Sequence, residues 1–144
     1  MANVIPDSFK TDLLKGTFNF DSSGGSTFKL ALYTDISGLT TSTTAFTTTN
    51  EVSTSGTSYS SGGNTLTNNG VAVSSNIAFV DFADLTFSSV TLSAVGALIY
   101  KSGGSNEAVL VLDFGGTKTA TNGDFVVQFP TASSSGAIIR LGNA

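Results

Sequence analysis

At 144 residues the chain fits one domain around one hydrophobic core, and with only 11% charged residues and a net charge of −4 it offers no basic surface for a phosphate backbone, so nucleic acid is not an expected partner. It contains no His and no Cys, which removes disulfides, thiolate metal sites, most zinc, copper and haem chemistry, and the serine and cysteine triads in their usual form. Oxygen-ligated calcium or magnesium is the metal chemistry left open.

Ser and Thr supply roughly a third of the chain and Gly adds 16 residues, a bias that belongs to short strands joined by many turns. The opening residues turn polar at once and carry no apolar leader, and no apolar run approaches the roughly 20 residues needed to span a bilayer. Synthesis and assembly in a cytoplasm, without membrane association, are the expectation.

In chain order, the first element is a short helix. Asp7 or Ser8 is expected to cap it, Lys15 suits the negative end of its dipole, and Gly16 can adopt the left-handed conformation that stops it. Phe9 and Leu13 lie four apart on one face, and a two-turn helix needs that face docked. It either plugs one end of the body or reaches a neighbouring subunit. The chain thus divides into an arm with a short helix over residues 1–16 and a body over residues 17–144.

The alternation of Phe28, Leu30 and Leu32 with Thr27, Lys29 and Ala31 predicts a half-buried strand with one wet face. From residue 35 to about residue 76 the pattern lapses into Thr, Ser, Gly and Asn with isolated apolar residues, so most of this tract is expected as an exposed loop. Within it, Asn50 to Ser53 fits a helical turn or the start of a strand. Leu66 and Val71-Ala72-Val73 are expected as two short strands joined by a turn at Asn68-Asn69-Gly70.

Strand character resumes at Ile77–Phe82, Ala83–Phe87 leads on through Ser88-Ser89, and the pattern is strongest over residues 90–114. There two Val-, Leu- and Ile-rich runs flank the polar residues 101–107, the pattern of a β-hairpin. Counting by twos puts Leu92, Ala94, Leu98 and Tyr100 on one face of the first run, and Thr91, Ser93, Val95, Ala97 and Ile99 on the other. In the second run Ala108, Leu110, Leu112 and Phe114 oppose Val109, Val111 and Asp113. Apolar residues on both faces predict a central strand pair covered on each side.

Residues 115–123 are expected as a loop, 125–129 as a strand ended by Pro130, and 137–141 as the closing strand. The sum is about seven or eight strands in an all-β antiparallel sandwich, jelly-roll or immunoglobulin-like, with one short N-terminal helix.

Chemistry is sparse. Of ten acidic residues only Asp81 and Asp84 lie close in sequence, and the others mostly occupy turn positions. A calcium site needs six to eight oxygens, and no spaced acidic loop supplies them, so solvated turn acids are the preferred reading and no metal or cofactor is expected. The paired glycines lack the lysine and hydroxyl of a phosphate loop. Most of the eleven Phe alternate with other apolar residues as core positions do, whereas Phe18, Phe46 and Tyr59 fall outside strong strands. No enzymatic activity is expected.

Several segments together carry a resemblance. They are the opening Met1 to Lys10, Thr27 to Tyr33, Thr49 to Ser53, Phe79 to Asp84, Ala94 to Tyr100, Val111 to Gly116, Gly123-Asp124-Phe125 with Gln128-Phe129-Pro130, and Ala137 to Arg140. Nearly end to end, the chain resembles a family of small virion proteins of tailed bacteriophages, including phages of marine bacteria and cyanobacteria. The resemblance implies a structural role on the virion, foremost a capsid decoration or cement protein on the outer surface of the major capsid lattice, made in the host cytoplasm. Its partners would be the major capsid protein and copies of itself, with a trimer compatible with the threefold points of such a lattice. Val4, Ile5, Phe9 and Leu13 in the arm, and Phe46 and Tyr59 in the Thr/Ser-rich tract, are the expected contact residues. The alternative is a tail or head-fibre component that binds host glycan or an adaptor protein.

Overall fold

The computed structural model describes residues 2–143, so Met1 and Ala144, at the outer ends of the two expected spans, lie outside the described residues. One helix, α1 (Asp7–Leu14), precedes seven strands: β1 (Phe28–Tyr33), β2 (Asn64–Thr65), β3 (Asn68–Ser74), β4 (Ile77–Phe82), β5 (Leu85–Lys101), β6 (Ala108–Val127) and β7 (Ile139–Leu141). They form a four-stranded sheet in the order β2-β1-β5-β6 and a three-stranded sheet in the order β3-β4-β7. Every pairing is antiparallel. The all-β sandwich with one N-terminal helix is therefore the fold, and among the described residues no helix is long and apolar enough to cross a membrane.

The main core lies between the sheets, and aromatic rings fill much of it. Phe20 stacks on Phe28 with centroids 4.6 Å apart, Phe28 meets Phe82 edge-on at 5.7 Å, and Phe9 of α1 lies 4.9 Å from Phe18. Offset and edge-on contacts of this kind add about 0.5–1.5 kcal/mol per pair beyond the area they bury. The helix thus closes the core of its own chain with Phe9, and Leu13 packs partly against the same cluster. Its N-cap is Pro6, with no side-chain cap bond, in place of the expected Asp7 or Ser8. Asp7 instead pairs with Lys10, and Ser8 donates to the Thr43 carbonyl. Gly16 does take the left-handed turn, with φ +80°.

The hairpin of β5 and β6 is the largest piece of the four-stranded sheet, and both its faces are covered over residues 96–100 and 108–112, whereas Thr91 and Ser93 are exposed. Its face assignment, however, crosses over. Register shifts at Ala94/Gly96 and Ile99/Tyr100 insert bulges, so Leu92, Ala94, Ala97 and Ile99 face the main core while Leu98 and Tyr100 face the other way. On β6 the same displacement sends Val109, Leu110 and Leu112 inward and Ala108 and Val111 outward. Each extra residue in a bulge reverses the in–out order of everything beyond it. Residues 115–123 are not a free loop but part of β6. Lys118 pairs with Ala94 and Asp113 with Gly96, so the residues between them bow out of the ladder and the strand resumes.

The outer face of this sheet is covered by the irregular Thr/Ser-rich tract, which corrects two expectations. Ala31 and Tyr33 of β1 are fully buried, so that strand has no wet face, and the tract itself is not a free loop. Ile36 and Leu39 pack on Tyr33, Leu98 and Val111 in a second apolar cluster, with Phe46 and Val4 at its margin. Residues 44–46 run beside the start of β6, bridging Ala45 to Glu107, and Glu51 bridges to Tyr33 at the far edge. The Asn50–Ser53 stretch is thus a turn followed by a bridge.

Asn69-Gly70 is not the turn of a Leu66 hairpin. β2 pairs with β1, and Asn69-Gly70 lies at a register shift within β3, whose partner is β4. The tight turn falls instead at Ser75 and Asn76, with φ +50° and +63°. Both central residues left-handed is the type I′ geometry that matches strand twist.

Candidate interaction surface

The end of the sandwich closed by α1 exposes the large apolar side chains of Ile5, Leu14 and Leu141. Leu14, one residue past the buried stripe of the helix, is 90% exposed, and Leu141 on β7 is 57% exposed. Between them runs a groove of about 480 Å³ lined by Ile5, Phe9, Leu13, Leu14, Ile139 and Leu141, with Lys10 and Arg140 also in its wall. A second groove of about 390 Å³ adjoins it through Leu13, Ile139 and Leu141 and reaches Val71, Phe18 and Phe20. The gap exists because β7 is only three residues long and α1 only eight, so neither covers the flank of the other. A contiguous apolar strip with a polar rim is the usual look of a protein-binding surface.

The residues expected at an interface separate into two groups. Ile5, 36% exposed, and Leu13 line the groove. Phe9 reaches the groove wall, but at 2% exposure its ring belongs to the core of its own chain. Val4 is tied to β6 by a reciprocal backbone pair with Val111, at 2.9 and 2.8 Å. Phe46 stacks on Tyr100 with centroids 4.7 Å apart, and Tyr59 is buried against Phe87. These last two anchor the Thr/Ser-rich tract to the sheet. Leu14, Leu141, Val71 and Val73 are exposed apolar residues that the sequence pattern did not single out. For Leu14 a signal was present, since it falls off the Phe9/Leu13 stripe.

Polar chemistry concentrates at Glu51, a lone acid in the Thr/Ser-rich tract. Its Oε1 accepts hydrogen bonds from the Tyr59 hydroxyl at 2.8 Å and the Gly62 amide at 2.6 Å, and its Oε2 accepts one from the Ser61 hydroxyl at 2.8 Å. The Tyr59 oxygen in turn accepts from the Leu32 amide, and the Tyr100 hydroxyl donates to the Gly62 carbonyl. All three tyrosines of the chain gather here, and burial pushes the phenol of each above its ordinary value, with the Glu51 charge adding in the same direction. The Glu51 carboxylate holds residues 50–63 against β1 through these bonds.

Four other acids, Asp35, Asp81, Asp84 and Asp113, bond within turns or between strands. Asp81 accepts from the Asn69 side chain and Asp84 from the Phe129 amide, so the pair does not converge. Asp35 and Asp113 accept from the amides two residues on, bonds that hold both carboxyls below their ordinary value. Among the described residues no three acids come together as metal ligands.

Comparison with family models, with curated proteins and with solved structures finds no match to this chain.

Proposed function

We propose that this chain is a bacteriophage virion structural protein, a decoration or cement protein that binds the outer surface of the major capsid lattice. The observation that carries the reading is the apolar strip of Ile5, Leu14 and Leu141 beside the α1–β7 groove, which a partner surface can cover. The resemblance of the sequence to small phage virion proteins supplies the identity of that partner. Seating the strip on an assembled lattice and not on free subunits would stabilise the shell by mass action, with no chemical step.

Heating purified virions that carry or lack the chain tests this directly. DNA release is expected at a higher temperature when the chain is present, and the chain with Leu14→Asp and Leu141→Asp should bind shells poorly while melting like the parent. Equal release temperatures would remove the cementing role.

A second reading, a tail or head-fibre component, draws on a different place. A cleft of about 380 Å³ beside β6 has Phe114 and Phe125 in its wall and Lys118, Asp124 and Gln128 around them, an aromatic and polar lining suited to a sugar ring. Copy number separates the two: hundreds per virion favour decoration, and a dozen or fewer favour the tail.

A further inference from the structure

Three of the four sheet edges are protected against pairing with another chain. β2 ends the larger sheet with only two residues, and β7 ends the smaller with three, Arg140 in the middle. The outer edge of β6 is bonded to residues 44–46 and to Val4, and its remaining length carries Lys118 and Asp124. Short length, charge and covering segments are the usual means of blunting an edge.

β3 is protected only near its start, by the bulge and by residues 20–22, where the Asn68 side chain donates to the Phe20 carbonyl and Ser22 lies beside Gly70. Over seven residues, Asn68–Ser74, it bears no charge and no proline, and Val71 and Val73 are 53% and 72% exposed. The two-residue turn at Ser75-Asn76 fixes which of its backbone groups are free. Ser74 and Ile77 close that turn as a hydrogen-bonded pair, so by alternation Ala72 and Phe79 form the next one. Val71 and Val73, opposite Val80 and Ala78, are then the residues whose N–H and C=O point away from β4. Among the described residues none of these four groups has a hydrogen-bond partner.

We propose that β3 is a strand-addition edge whose occupant is the β3 of a second copy, giving a twofold dimer with one continuous six-stranded sheet. Antiparallel pairing centred on Ala72 sets Val71 opposite Val73 of the copy and Val73 opposite its Val71. Each pair exchanges two backbone hydrogen bonds, so all four free groups are satisfied at once. Charge supports a copy as the occupant. Twofold pairing lays the same strand against itself, so any net charge on it would meet its like, and β3 carries none although the chain as a whole is at −4. The dimer concerns the isolated chain, so its test does not depend on the capsid reading.

Sedimentation equilibrium of the purified full chain over a wide concentration range should give a mass rising from one chain to two. Val71→Lys with Val73→Lys places like charges across both pairs and should hold the protein at one chain, with an unchanged far-ultraviolet circular dichroism spectrum. Val71→Lys with Val73→Glu places opposite charges across both pairs and should restore the dimer. Hydrogen exchange on the unmodified chain gives a readout that needs no variant: the Val71 and Val73 amides should gain protection with concentration, and the Ala72 amide should not change. A chain monomeric at every concentration, a closed trimer, a dimer indifferent to the lysines, or a Lys/Glu variant as monomeric as the Lys/Lys one would overturn the proposal.

Discussion

Replacing Glu51 by Ala removes the acceptor for three hydrogen bonds, and the three losses differ in cost. Ser61 is exposed, so its hydroxyl turns to water at little expense. The Gly62 amide and the Tyr59 hydroxyl are buried, and a buried donor left without an acceptor costs about 1–3 kcal/mol. Two such groups give about 2–6 kcal/mol, a sizeable share of the roughly 5–15 kcal/mol that holds a domain folded. Because the exposed Ser61 side lets water reach the vacated space, the lower half of that range, about 2–4 kcal/mol, is the expectation. Glu51→Gln keeps an acceptor at the Oε1 position and loses only charge assistance, about 1 kcal/mol. Ser61→Ala should stay within about 0.5 kcal/mol. Urea unfolding followed by near-ultraviolet circular dichroism suits the measurement, because the chain has no Trp and its three tyrosines all sit in this cluster. A Glu51→Ala loss below about 1 kcal/mol, or one equal to that of Ser61→Ala, would refute the view that this carboxylate ties down residues 50–63.

Three further outcomes are expected. The tyrosine hydroxyls are held above their ordinary value near pH 10, first by burial, so the native state binds more protons than the unfolded one above that pH. Stability from this source is complete below about pH 10 and lost as the pH rises further, so tyrosinate absorbance should grow together with unfolding; phenols that ionise near pH 10 in an intact fold would contradict the burial. Phe9→Ala should cost about 3–5 kcal/mol by emptying the site beside Phe18 and Phe20, whereas Leu14→Ala on the same helix should change thermal stability by no more than about 0.5 kcal/mol. Gly63→Ala should cost more than about 1 kcal/mol, since Gly63 has φ +72° and a Cβ there would collide with the Leu30 carbonyl; an unchanged denaturation midpoint would mean that β2 does not approach β1 so closely.

Much of the fold was written locally in the sequence. The helix over residues 7–14 follows from Phe9, Leu13 and Gly16, and β1, β4 and the β5–β6 hairpin follow from runs of β-branched and aromatic residues bounded by Gly, Ser and Asn. Both faces of the hairpin are apolar, which foretold that each would be covered. The identity of the cover did not follow. Ile36, Leu39, Phe46, Val52 and Tyr59 are isolated in a Thr/Ser-rich tract with neither helical nor strand periodicity, yet each meets the sheet or the core beneath it.

Tertiary structure alone decided three things. Bulges in the β5–β6 ladder reversed the faces of Leu98, Tyr100 and Ala108, because counting by twos assumes a ladder without insertions. The Asn69-Gly70 signal became part of a strand because β2 found a better partner in β1 than in β3. The surface left over for partners, Leu14, Leu141 and the β3 edge, emerged only after Phe9 and Tyr59 had been drawn inside. Periodicity records which side chains leave water, whereas which apolar side chains stay exposed depends on what the rest of the chain is long enough to reach and cover.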